Sequence, residues 1–245
     1  LAIAAASHNG EPMHLATVRA ILAGGGLSEA DLANTPALPY GAAAQEQWLR
    51  AGGVASSLAQ NCSGKHSAML RTAVALGVPT RGYVALDHPV QRAAARGIEE
   101  LSGESISATG VDGCGAPVTA ISLIGLARAF SRMVLAGPDS APGRVARAMS
   151  AHPMHVGGTG RDVTSFMTAL PGAIAKDGAE SVHALALPDG HAAAVKVADG
   201  SERARTAVVV ALLRHLAVAE DVLAAVRPTP ILGGGRQVGS VVAVF

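Results

Sequence analysis

Aromatic side chains are nearly absent: they make up 2% of the 245 residues, with Trp48 the sole tryptophan. A core without large rings must be filled by Ala, Leu, Val and Ile, which bury little area each and let elements approach closely. Lysine is scarce as well, three against sixteen Arg, and the formal net charge is only +1. That balance leaves no electrostatic footprint for nucleic acid, and no basic stripe with interleaved aromatics occurs. Long apolar runs are missing too. The run from Ala207 to Leu213 is broken at once by Arg214 and His215, well short of the ~18 residues a membrane span requires. A basic start followed by an apolar stretch and a small-residue cleavage site is not found, so a cytoplasmic location is expected. Hydrophobic residues at 49% and charged residues at 15% exclude a disordered chain. The length is ample for a buried core, and residues 1–245 read as one domain.

The chain opens on Leu1, inside the apolar run Leu1 to Ala6, and the expectation is that an N-terminal segment precedes it. Pro12 to Ala23 reads as a helix closed by Gly24-Gly25-Gly26, glycine being suited to a left-handed cap. Ser63 to Leu76 reads as a helix stopped by Gly77, with Pro79 beyond. His88-Pro89 starts another, Pro occupying its favoured first position, which ends near Gly103. Val118 to Leu135 is apolar nearly all round and reads as one buried helix. After Pro171 the pattern changes to short apolar segments, Gly172 to Lys176, Val182 to Leu187 and His191 to Val197. Asp-Gly pairs separate them, which signals antiparallel hairpins. A helix from Glu202 to about Ala217 and a last strand over Val238 to Val244 complete an α+β pattern.

Two cysteines, Cys62 and Cys114, either pack as small hydrophobes or mark a metal site or reactive thiol. Asn61-Cys62-Ser63-Gly64-Lys65-His66 sits where a loop enters a helix. Cys62 and Lys65 share the face of the first turn, where free backbone N–H groups favour negative charge and would lower the Cys62 pKa. The plainer alternative is a helix cap with a buried Cys and a solvated Lys. Asp112-Gly113-Cys114-Gly115-Ala116-Pro117 marks a tight turn that lets backbone approach a ligand, and it is expected to precede a helix. Asp112 is suited to an amino group. Ser7-His8-Asn9-Gly10-Glu11 follows an apolar segment; adjacent Ser and His point apart on an extended chain and form no triad. Lys176 is a strand-end lysine of interest if it faces Ser7.

Taken in order, Ser7-His8-Asn9-Gly10-Glu11 with His14, Asn61 to His66, Asp87-His88-Pro89 and Asp112 to Pro117 resemble the successive motifs of the asparaginase II family, of rhizobial type. The resemblance spans nearly the whole chain. It implies hydrolysis of L-asparagine to aspartate and ammonia, a fold similar to serine β-lactamases and penicillin-binding proteins, and a homodimer. It also implies a zinc site formed by Cys62, Lys65 and Cys114 with water, Asp112 and His66 near the substrate, and a Ser–Lys pair at Ser7 and Lys176. The family's other pair, an S-x-x-K carrying the presumed nucleophile, has no counterpart in this sequence. The contrasting reading is a catalytically silent metal-binding or interaction domain. A penicillin-recognising acyl enzyme is a third, with S-D-N absent and Lys176-Asp177-Gly178 only faintly like K-T-G.

Overall fold

A computed structural model describes residues 7–226 and 230–244; the apolar run Leu1 to Ala6 lies outside them. The helices are α1 (Pro12–Ala23), α2 (Ala42–Arg50), α3 (Ser63–Leu76), α4 (Pro89–Ser102), α5 (Leu123–Leu135), α6 (Ala141–Ala151), α7 (Pro153–Val156), α8 (Asp162–Ala169), α9 (Arg205–His215) and α10 (Glu220–Leu223). The strands are β1 (Ala108–Val111), β2 (Pro117–Ala120), β3 (Ile174–Gly178), β4 (Val182–Ala186), β5 (Ala192–Lys196), β6 (Pro230–Gly233) and β7 (Arg236–Ser240). Every pairing is antiparallel: β1 with β2, β3-β4-β5 as a three-stranded meander, and β6 with β7. Helices segregated from small antiparallel sheets make the fold α+β.

Local chemistry places the helix ends. Pro12 and Pro89 stand at helix starts, where a missing N–H costs nothing. His88 Nδ1 accepts from Val90 N, and Ser122 and Ser140 accept from Gly125 N and Gly143 N. Gly77 and Gly103 close α3 and α4 in the left-handed conformation, φ 64° and 69°. At the end of α1 the left-handed residue is Gly26 (φ 69°), while Gly24 stays right-handed.

Three sequence expectations change. The apolar stretch Val118 to Leu135 is split: its start belongs to β2, Ser122 caps, and only Leu123–Leu135 is helical. That helix is not buried all round, since Ile124 is 71% exposed. Pro117 therefore begins an edge strand and not a helix, a position where its lack of an N–H is harmless. The final strand ends at Ser240 and is preceded by a partner, β6, because Gly234 and Gly235 supply the positive φ for a turn. No helix among the described residues is long and apolar enough to cross a membrane.

Two apolar centres hold the fold. The larger joins β3 and β4 to α6, α8 and α9 through Ile174, Leu185, Met149, Phe166, Val209 and Leu213. The smaller joins α1 to α3 through Leu15, Val18, Leu22 and Leu70, with Leu58 and Tyr83. Between the N-terminus of α3 and the β1–β2 loop lies a third, small cluster: Cys62, Cys114 and Ala116, with Met69 against it.

Candidate active site

The β1–β2 loop is built on Asp112. Its N–H donates to Ala116 O (2.8 Å), and Gly115 N donates to its carbonyl (2.8 Å). Gly115 adopts φ 87°, a left-handed conformation that favours glycine. This turn swings Cys114 inward, where it is 1% exposed. Cys62, the residue that caps α3, comes to meet it. Both thiols are free, and the two sulfurs and an Asp112 carboxylate oxygen all lie within 4.8 Å of one another.

Lys65 joins them. Its Nζ donates to Asp112 Oδ2 at 2.8 Å. Burial pulls the Lys65 pKa down, but the hydrogen bond to Asp112 and the two sulfurs outweigh it, and the net shift is upward. Burial likewise pushes Asp112 up, and the Lys65 bond and charge more than reverse it, leaving it lowered. The cysteines divide unequally. Cys114 is lowered to about 4, first by the hydrogen bond from Cys62 and then by His66, the Ala116 N–H and Lys65, all working against burial. Cys62 is raised, because its proton is held between the two sulfurs and because it is buried. The low pKa expected for Cys62 at the helix start is instead a matter of the two thiols together: they share a proton and the negative charge belongs to the pair, with Cys114 Sγ also 3.4 Å from Asp112 Oδ2.

His66 is fully buried. Its Nδ1 lies 2.7 Å from the Tyr83 hydroxyl, and Nε2 has no hydrogen-bond partner among the described residues.

Ser7 stands beside this cluster. Ser7 N and His8 N both donate to Asn61 O (2.8 and 3.1 Å), one residue before Cys62. Ser7 has φ 70°, a conformation a non-glycine residue holds only when its surroundings impose it. Arg161 contributes: its Nη1 donates to Ser7 O (2.9 Å) and to Asn9 Oδ1 (3.3 Å). Gly10 completes the turn at φ 77°, and a Cβ there would come within 2.9 Å of Pro39 Cβ.

Lys176, on β3, is the other half of the expected pair. Its Nζ donates to Asp177 O (2.7 Å) and Oδ1 (2.6 Å). Burial lowers the Lys176 pKa, and the charge and hydrogen bond of Asp177 oppose it. Asp177 also accepts from Arg161 Nη2. Burial would raise Asp177, but Lys176 and Arg161 hold it at about 2. Ser7 and Lys176 are therefore bridged through Arg161 and Asp177, and no direct hydrogen bond joins them among the described residues. Sequence reasoning missed Arg161, Asp177 and Tyr83. Arg161 follows Gly160 in an unremarkable loop, and only the tertiary structure brings it to Ser7.

Two buried histidines set the acid response. His8 is lowered to about 3 by burial, reinforced by His14, Lys176 and Arg161. Its Nδ1 accepts from Gly10 N (3.0 Å), so Nε2 carries the proton toward Ser63 Oγ (3.1 Å). His183 is lowered to about 4, again chiefly by burial. An unfolded chain protonates both near 6.5, so the native state binds fewer protons below that pH. Their stabilising contribution is complete above about pH 6.5 and is lost as the pH falls toward 4 and 3. The expected result is a urea midpoint that drops across this window, and a smaller drop in His8→Gln. A midpoint that stays level between pH 6.5 and 4 would contradict it.

The family model described as L-asparaginase II matches residues 1–243. No curated protein matches the chain.

Proposed function

The chain belongs to the L-asparaginase II family, and from that premise we propose that it serves amide hydrolysis of L-asparagine by serine acyl transfer beside a zinc site, on a β-lactamase-like scaffold. The observation that carries the reading is the meeting of Cys62, Cys114 and Asp112 within 4.8 Å, with Lys65 on Asp112 and the Ser7 segment tied to Asn61.

The donor set suits zinc. Thiolates are standard protein ligands for it, and the Lys65 charge favours ionisation of both sulfurs. Cys62, Cys114 and Lys65 would hold the ion with Asp112 adjoining, and when bound it would supply a fixed positive charge for the substrate's polar groups. Lys65 must release both its proton and Asp112 to coordinate, so affinity falls with acidity.

The remaining roles belong to the chain's own groups. Lys176 is the base: burial lowers its pKa against the pull of Asp177, so the amine can release its proton and then take one from a serine hydroxyl or from water. Arg161 fixes the Ser7 carbonyl and the Asp177 carboxylate together, which keeps Ser7 and Lys176 in register. Asp112 offers its second oxygen to the substrate's ammonium. With Ser7 as the partner of Lys176, the proton taken from the attacking serine hydroxyl can pass to the departing ammonia, and a proton from the attacking water can return to that serine oxygen as aspartate leaves.

The test is ammonia release from L-asparagine by the protein expressed from the full reading frame that encodes these residues. Release that disappears in Ser7→Ala supports the assignment. Bound zinc with no ammonia release rejects it in favour of the silent metal-binding reading.

A further inference from the structure

Asn34 and Thr35 reach both halves of the cysteine pair without belonging to either. Thr35 N donates to Cys114 O at 3.3 Å. The buried Asn34 side chain donates from Nδ2 to Gln60 Oε1 (2.8 Å) and to Ser57 O (2.7 Å). Gln60 Oε1 in turn accepts from Cys62 N at 2.9 Å. Cys62 caps α3, so its N–H lies outside the helical ladder and the Gln60 side chain is what holds it. Ser57 Oγ closes the clasp on Asn34 O (2.6 Å). One amide oxygen thus ties Asn34 to the main chain of Cys62, while the next residue along holds the main chain of Cys114.

Neither amide can be turned over. The Cys62 N–H only donates, so it demands the oxygen of Gln60. That oxygen and the Ser57 carbonyl only accept, so they demand the NH2 group of Asn34. This orientation leaves Asn34 Oδ1 buried with no hydrogen-bond partner among the described residues. An acceptor in that state costs stability, which an apolar side chain would avoid; what the amide supplies instead is its hold on Gln60. We propose that Asn34 and Gln60 are positioning residues: acting on Cys62 N, with the adjoining Thr35 acting on Cys114 O, they set the separation of the two sulfurs and hence the fit of the pair to one metal ion. The metal half of this inference rests on the zinc site proposed above; the clasp on Cys62 does not.

Amide hydrogen exchange followed by NMR on metal-free protein reads the clasp. In Asn34→Leu the Cys62 N–H is expected to exchange about 10-fold faster or more, whereas the Leu70 N–H inside α3 keeps its protection. Unchanged exchange at Cys62 would overturn the proposal, as would an equal rise at Leu70, the mark of a fold loosened as a whole. Gln60→Met, which keeps the length of the side chain without its oxygen, should give the same pattern. Chelator competition reads the metal half. Zinc affinity is expected to fall roughly 10-fold in Asn34→Leu and in Gln60→Met, within the range that outer-shell changes produce, and no further in the double variant, because both break one path. Unchanged affinity, or losses that add in the double variant, would overturn it. An unmodified protein that binds no zinc would sink the metal site and this half with it, and the exchange result would still decide the clasp, so the two failures are told apart.

Discussion

Replacing Cys114 by Ser is expected to weaken zinc binding by more than the roughly 10- to 100-fold that outer-shell changes cost, while leaving the fold in place. The two sulfurs share one proton beside Lys65, whose charge favours ionisation of both, and Cys114 is held in place by the β1–β2 turn. A serine hydroxyl stays protonated near neutrality and is a poor zinc donor, so the substitution removes a ligand and one of the site's two ionisable sulfurs at once. It also frees Cys62 from its sulfur acceptor, which lets that thiol ionise more readily. The volume change is small and Cys114 lies in a cluster of few residues, apart from the two larger apolar centres. Elemental analysis after dialysis and chelator competition read the effect directly. Full retention of zinc in Cys114→Ser would mean that the two sulfurs are neighbours by packing alone.

The second large effect is expected at Lys176. Lys176→Met should lower kcat for ammonia release about 10²- to 10⁴-fold, the span that one positioned general base supplies. Methionine keeps the length and apolar stem of lysine but has no amine. The substitution removes one of the charges on Asp177, yet Arg161 still pairs with that carboxylate and Arg205 Nη1 remains 3.9 Å away, so the buried anion is not stranded. Zinc content should be unchanged, because Lys176 bonds to Asp177 and not to the cysteine cluster. Steady-state kinetics with L-asparagine separates the cases. A Lys176→Met protein of normal turnover would remove Lys176 from the chemistry and leave it as a buried structural cation.

Helix ends and the meander were legible in the sequence because their determinants are local. Glycine after α3 and α4, proline at the starts of α1 and α4, and Asp189-Gly190 between β4 and β5 each act within a few residues, whereas Asp177-Gly178 is paired inside β3 and the turn falls on Ala179–Ser181. The stretch around Val118 misled for a physical reason. A short apolar edge strand and the start of a buried helix have the same composition, and only pairing with Ala108–Val111 decides between them. The site divides in the same way. Asn61 to His66 and Asp112 to Pro117 were visible as motifs, and the structure brings their sulfurs together. That the two thiols would share a proton was not visible, since it depends on two separate loops meeting. Nor was the Arg161–Asp177 bridge, which spans elements that only the sheet and α8 bring into contact.

Zinc-edge X-ray absorption on the purified, zinc-loaded protein tests the central claim most directly. Two sulfur neighbours at about 2.3 Å, completed by lighter nitrogen or oxygen atoms, is the result expected if Cys62 and Cys114 share one ion. A shell of nitrogen and oxygen alone, or a protein that takes up no zinc, would contradict it.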